Sequence, residues 1–113
     1  DIIKLSEPVD IFPSYEKALN REDGRSTLLV EFGDFQCGAC AAARLRISKI
    51  TEQYGSRLKV VFKQYPMQRI HRNAMIAAQA AEAAGQQFKF WEMHDLLFER
   101  QNSFPLIGNR LLN

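Results

Sequence analysis

The chain's only two cysteines, Cys37 and Cys40, are separated by two residues and lie between two segments of different character. Residues 27–32 before them form a short, apolar run that predicts a buried strand. Residues 37–54 are rich in alanine, carry apolar side chains at near-helical spacing and end before Gly55, so they predict a helix. The C-x-x-C motif is therefore expected where a strand passes into a helix.

The rest of the pattern predicts an α/β fold. Residues 57–65 predict a second strand, and residues 72–84 and 88–100 predict two further helices. A strand, a helix and a strand in succession favour a parallel pair joined by a crossover. A short helix is also expected over residues 14–20. With 113 residues, 46% hydrophobic and 25% charged, the chain has the composition of a single domain over 1–113.

Charge and hydropathy exclude several classes of protein. The formal net charge is +2 and the basic residues are spread along the chain, which argues against nucleic-acid binding. No apolar run approaches the ~20 residues of a membrane span. The first residues also lack the basic start and apolar stretch of a signal peptide, which leaves open both cytoplasmic residence and a signal already removed.

Three chemistries are open to the cysteine pair. A structural disulfide between residues three apart closes a very small loop and constrains the unfolded chain little. A zinc site needs about four ligands, and His71 and His94 are much farther apart than the histidines of a zinc finger. A redox dithiol fits best, because a helix N-terminus stabilises a thiolate at Cys37 while Cys40, one turn further, can resolve a mixed disulfide.

Glu31 is a carboxylate within an otherwise apolar strand, where burial without a partner is costly. It is either an edge or surface residue, or a buried acid that moves protons to and from the second cysteine. Asp34 is expected in a turn, and His71 at a helix cap or on the surface. Phe88 and Trp91 belong to an apolar stripe that is expected to pack in the core.

Several motifs taken together resemble one family. The segments LLVEFGDFQCGAC, VVFKQYP, HRNA and KFWEMHDLLF are similar to the DsbA-like branch of the thioredoxin-fold oxidoreductases, over about residues 28–101. The resemblance implies a thioredoxin-like fold with a helical insertion, and disulfide exchange with protein thiol or disulfide substrates that requires no organic cofactor and no metal. By position it implies that Cys37 is the nucleophile, Cys40 the resolving thiol and Glu31 the buried acid. It also implies a periplasmic or other extracytoplasmic protein whose dithiol a redox partner recycles, although cytoplasmic residence stays open.

Two departures from the family pattern lead to further expectations. Many periplasmic oxidases of the family carry histidine between the cysteines, whereas this chain has Gly38 and Ala39, so a less oxidising disulfide is expected. The family's later strands, last helix and cis-proline loop are not recognised, and residues 106–113 resemble the start of a helix. We therefore expect a domain truncated before its C-terminal strands and helix. Its exchange with substrates should be weakened, and its chains should associate with one another through an unpaired sheet edge.

Two non-enzymatic alternatives stay open beside the oxidoreductase. One is a thioredoxin-like binding module whose aromatic segment 88–98 docks a partner, and the other is a zinc-binding interaction module. Within the enzyme class, the residues do not separate an oxidase from a reductase or an isomerase.

Overall fold

The computed structural model describes residues 18–19 and 27–103. Three strands and three helices follow one another in this part of the chain, with short 3₁₀ turns at Gly55–Arg57 and Gln101–Ser103. Their bounds are β1 Ala18–Leu19, β2 Thr27–Gly33, α1 Gly38–Tyr54, β3 Leu58–Gln64, α2 Ala74–Gly85 and α3 Phe90–Glu99. Residues 1–13 and residues 106–113, which are predicted to begin a helix, lie outside the described residues.

The sheet has the order β1-β3-β2, with β3 in the centre. Strands β2 and β3 are parallel, with Thr27 opposite Leu58 and Gly33 opposite Gln64. This pair is joined through α1, so the predicted α/β unit is confirmed. β3 is buried at four of its seven positions, which are Leu58 and the three consecutive apolar residues Val60, Val61 and Phe62, as suits a central strand.

The predicted helix over residues 14–20 is wrong where the structure describes it. Ala18 and Leu19 form β1, which pairs antiparallel with Val61 and Val60 of β3. The physical reason is tertiary: β3 offers an open row of backbone hydrogen-bonding groups, and pairing with them outweighs a weak local helix propensity. The remaining residues of the predicted helix lie outside the described part.

The core forms between the sheet and helices α2 and α3. Its buried members are Phe35, Phe62, Ala77, Ala81, Phe90 and Phe98. The small alanines of α2 let this helix approach closely, and α3 fills the space with aromatic rings.

The buried face of α3 differs from the predicted apolar stripe. The helix buries Phe90, His94 and Phe98, which recur every four residues. Trp91 is partly buried against the core. Phe88 precedes the helix, has a φ of 61° and is 93% exposed, so its assignment to the core is wrong.

Parallel strands bring the loops that follow them to the same edge of the sheet. The loop after β2 leads from Gly33 into α1, and the loop after β3 begins where Tyr65 N–H donates to the Gly33 carbonyl at 2.8 Å. Gly33 allows close packing, because a Cβ at this position would overlap ring atoms of the buried Phe62. The carboxyl edge of the sheet, where α/β proteins bind their ligands, therefore carries the C-x-x-C segment.

Candidate active site

The dithiol lies where β2 passes into α1. Cys37 is the N-cap residue of α1, and its Sγ accepts a hydrogen bond of 3.3 Å from the backbone N–H of Cys40. A helix N-terminus carries partial positive charge and unpaired N–H donors, so it stabilises a thiolate at the cap position. Both cysteines carry free thiols and are partly exposed. The first sulfur is thus placed to react, and the second lies one helical turn away.

The Cys40 thiol is a weak acid in this setting. Burial is the main cause that raises its pKa to about 11, followed by a hydrogen bond to the Cys37 side chain. The negative charge of Glu31 raises this pKa further, so the strand carboxylate lies within electrostatic reach of the second cysteine. Burial also raises the pKa of the Glu31 carboxyl above its usual 4.5. A carboxylate with a raised pKa is a better base than usual, which suits it to a thiol that ionises poorly by itself.

Asp34 organises the loop before the dithiol. Its side chain is almost fully buried, and its Oδ1 accepts the backbone N–H of Gln36 at 2.8 Å, which confirms the predicted turn role. Its Oδ2 accepts the N–H of Met67 at 3.0 Å and the Nδ1–H of His71 at 2.7 Å. His71, expected at a cap or on the surface, is instead partly buried and tied to this carboxylate.

Two glutamines complete the polar ties around the motif. Gln36 Oε1 accepts the backbone N–H of Asn73 at 2.5 Å, beside the start of α2. Gln101 Nε2 donates to the carbonyls of Phe35 and Cys37, both at 2.9 Å. The segments after β2, after β3 and after α3 are therefore linked by hydrogen bonds directly at the dithiol.

His94 is the other buried polar residue near this region. It is 4% exposed and lies among five aromatic rings, with ring centroids 4.8 to 6.0 Å away: Phe35, Phe62, Phe90, Trp91 and Phe98. Its Nδ1 donates to Asp95 Oδ1 at 2.9 Å. Burial is the main cause that lowers the pKa of His94, with the Asp95 hydrogen bond acting in the opposite direction. From the sequence, this residue is considered only as a zinc ligand that lies too far from His71.

The structure places the three predicted site residues in one region, while their catalytic roles stay predictions. Cys37 and Cys40 share the first turn of α1, and Glu31 approaches them from β2. Sequence reasoning missed Gln101 and His94. The spacing of His94 four residues from both Phe90 and Phe98 is the signal that could have placed it on the buried face. Within the described ranges no group of three or more His, Cys, Asp or Glu side chains could hold a metal ion.

Comparison with protein families agrees with this geometry. A family model described as thioredoxin matches residues 25–107, which include β2, β3, the dithiol and all three helices. The chain belongs to the thioredoxin family. The expected thioredoxin-like α/β domain is confirmed, and within this family match the C-x-x-C motif stands at the start of the first helix after β2.

Curated relatives of this thioredoxin-family chain are much longer proteins. It is similar to the Na⁺/H⁺ antiporter NhaA 1 of Mycolicibacterium vanbaalenii, with 39% identity over 100 residues, 88% of this chain and 16% of the relative. It is also similar to NhaA 1 of Salinispora arenicola, at 38% over 88% of this chain and 15% of the relative. For NhaA of Herminiimonas arsenicoxydans the values are 36%, 92% and 16%. The chain thus spans about a sixth of these antiporters.

Two further comparisons concern structures and membrane segments. No solved structure matches the chain significantly. None of the helices in the described ranges combines the length and apolar character needed to cross a membrane.

Proposed function

We propose that the chain is a DsbA-like thiol:disulfide oxidoreductase that exchanges disulfides with protein substrates. The observation that carries this proposal is the 3.3 Å hydrogen bond from the Cys40 N–H to Cys37 Sγ at the first turn of α1. This geometry gives one sulfur the stabilisation that a nucleophilic thiolate needs. It also holds the second sulfur, partly buried, where it can attack the first.

The proposed reaction has two exchange steps. The Cys37 thiolate attacks one sulfur of a substrate disulfide, forms a mixed disulfide and releases the other substrate sulfur as a thiolate. Cys40 then attacks Cys37 Sγ, forms the intramolecular disulfide and releases the second substrate sulfur. Glu31 accepts the proton of the Cys40 thiol during this attack. Two electrons pass from the dithiol to the substrate, and in the oxidase direction the same steps run backwards.

The proposal includes partners and a compartment. Substrates are protein thiols or disulfides, and a redox partner returns the dithiol to its starting state. A periplasmic or other extracytoplasmic location suits such chemistry, because oxidising compartments maintain protein disulfides. We also propose self-association through the open edge of β2, which among the described strands pairs only with β3.

The first test is equilibration of the chain in glutathione buffers, with the Cys37–Cys40 disulfide fraction read by thiol trapping. A midpoint between about −120 mV, typical of a strong oxidant, and about −270 mV, typical of thioredoxin, supports a catalytic dithiol. A value below about −300 mV indicates a structural disulfide and contradicts the proposal. The Cys40→Ser variant should accumulate a mixed disulfide with a peptide disulfide, and Cys37→Ser should form none.

The names of the relatives favour a second candidate, a non-catalytic module of a larger transport protein. These relatives are named Na⁺/H⁺ antiporters, and only 15–16% of their length matches this chain. In that case the exposed Phe88 beside the aromatic helix is a contact for a partner. The Cys37→Ser variant then behaves like wild type in every assay, and wild type shows no exchange with peptide disulfides. About one zinc per freshly purified chain would instead favour the interaction module of the zinc-binding class.

A further inference from the structure

A cavity of about 190 Å³ lies between the sheet and helices α1 and α3. Its volume is enough for several water molecules, since each takes about 30 Å³ in the liquid. Polar side chains line it from three elements: Glu31 of β2, Arg44 and Glu52 of α1, and Trp91, His94 and Asp95 of α3. The cavity therefore joins the carboxylate near the dithiol to the buried histidine.

Three buried polar atoms of the lining residues have no hydrogen-bond partner among the described residues. They are Arg44 Nε, Trp91 Nε1 and His94 Nε2. The first two are N–H donors. Because the Nδ1–H of His94 donates to Asp95, its Nε2 in the neutral ring is an acceptor. Water in the cavity can accept from the two donors and donate to this nitrogen and to Glu31, which is the set of two to four partners that a buried water requires.

Packing alone does not account for a histidine at this position. The ring lies among five aromatic rings, where phenylalanine would pack without a buried polar atom. Pairing Nε2 with a water in the cavity costs free energy, because that water loses its mobility. A polar atom retained at that cost, beside a cavity that also contains Glu31, points to a use in proton transfer.

We propose that His94 is a positioning residue of the dithiol reaction, which exchanges a proton with Glu31 through water in this cavity and so supports the attack of Cys40. The inference rests on the proposed oxidoreductase function and adds a residue that the resemblance does not assign. His94 contacts neither sulfur in this proposal and acts only through Glu31.

The proton and electron balance of the step is as follows. Cys40 S–H gives its proton to the Glu31 carboxylate, and the Cys40 sulfur forms its bond to Cys37 Sγ. The bond between Cys37 and the substrate sulfur breaks, and the substrate leaves as a thiolate that takes a proton from solvent. Glu31 then passes its proton through water to His94 Nε2, which releases it to solvent, and the oxidised dithiol has lost two electrons to the substrate.

The charged groups facing His94 fit such an exchange. Asp95 on its own helix accepts from Nδ1 and so stabilises the protonated ring, while Arg44 of α1 opposes protonation. Glu31 of β2 and Glu52 of α1 line the same cavity as His94, and β3 contributes the apolar Val60. Burial raises the pKa of Glu31 and lowers that of His94, so the proton affinities of the two groups approach each other.

The test is a pH titration of the full chain by NMR, following the Glu31 side-chain ¹³C carboxyl and the His94 ¹⁵N signals. We expect both groups to show the same two midpoints, as coupled sites do. In His94→Phe the Glu31 curve should become a single step, with its midpoint moved upward by roughly one pH unit. His94→Gln, which keeps a polar amide and does not titrate, should also give a single step. Glu52→Gln removes an exposed charge at the same cavity and should preserve the two-step shape of both curves.

Kinetics complete the test. The rate at which Cys40 resolves a preformed mixed disulfide should fall about tenfold in His94→Phe between pH 6 and 7.5. The difference from wild type should disappear at alkaline pH, where the Cys40 thiol ionises without a base. If Glu31 titrates in a single step in wild type and neither His94 variant changes that curve, the inference about His94 is overturned. If wild type nevertheless exchanges disulfides, the oxidoreductase proposal still stands. Coupled titration without any exchange by wild type overturns the oxidoreductase proposal and, with it, the role of His94 in that reaction.

Discussion

Replacing Asp34 by alanine should destabilise the fold, because it removes the acceptor of three hydrogen bonds in the loop before the dithiol. The carboxylate is almost fully buried and accepts three hydrogen bonds, from Gln36 N–H, Met67 N–H and His71 Nδ1–H. Each buried donor left without an acceptor costs about 1–3 kcal/mol. Water can reach the His71 side chain, which is 24% exposed, so the two backbone donors dominate. We expect a loss of about 3 kcal/mol from a total that is typically about 5–15 kcal/mol.

Graded variants test whether these hydrogen bonds are the cause. Asp34→Asn keeps one acceptor oxygen and should lower the free energy of unfolding by about 1–2 kcal/mol. His71→Ala leaves both backbone donors paired and should lower it by a similar amount. Glu92→Ala is the control, because Glu92 is an exposed carboxylate whose ion pair with Lys89 at 4.0 Å should contribute under ~0.5 kcal/mol. The assay is urea unfolding followed by the fluorescence of the single tryptophan. An Asp34→Ala chain within about 0.5 kcal/mol of wild type would refute the reasoning.

Four other changes have defined outcomes. Gly33→Ala should destabilise by about 1–3 kcal/mol in urea unfolding, because its Cβ overlaps the ring of the fully buried Phe62; a neutral effect would mean that the ring can move. Phe88→Asn should raise the thermal midpoint, with a gain of about 0.5–1 kcal/mol, since φ is 61° and the exposed ring packs on little. The Glu31→Gln variant should have a larger free energy of unfolding than wild type, because the folded state binds the Glu31 proton more tightly than the unfolded state does. This difference should grow as pH rises above 4.5 and vanish below it. A difference that stays constant from pH 4 to 8 contradicts the prediction. Gln101→Ala should lose about 1–2 kcal/mol, because two carbonyls at the start of α1 lose their side-chain donor, and unchanged amide exchange at that turn would argue against it.

Local sequence patterns were enough to predict most of the described elements. β2 and β3 are short apolar runs bounded by breakers, and both lie within one residue of their predicted bounds. α1 ends at Gly55, whose φ of 55° suits glycine and explains why the helix stops there. Such signals depend on only a few neighbouring residues, so they can be recognised in the sequence without knowledge of the tertiary structure. β1 could not be found in this way, because only its partner strand makes Ala18 and Leu19 extended.

The candidate site was only partly predictable for the same reason. Cys37, Cys40 and Glu31 are close in sequence, and a strand followed by a helix brings them together without any long-range contact. Asp34 and His71 are 37 residues apart and meet only because parallel strands place both following loops at one sheet edge. A pattern read along one segment carries no information about such a meeting.

The polar contacts at the dithiol matter because α1 has little else to fix its first turn. None of its residues is fully buried within the described structure, and only Cys40 and Ala41 among them pack against the core cluster. The position of the first turn is therefore set mainly by hydrogen bonds, from Gln101 to the Cys37 carbonyl and from the Cys37 N–H to the Asp34 carbonyl at 3.1 Å. Hydrogen bonds are directional, whereas apolar packing tolerates small shifts. These hydrogen bonds therefore restrict the position of the Cys37 sulfur relative to the Cys40 N–H more than packing alone would. Substitutions of residues that make these hydrogen bonds, such as Gln101, should therefore alter the reactivity of the dithiol more than they alter the packing of the core.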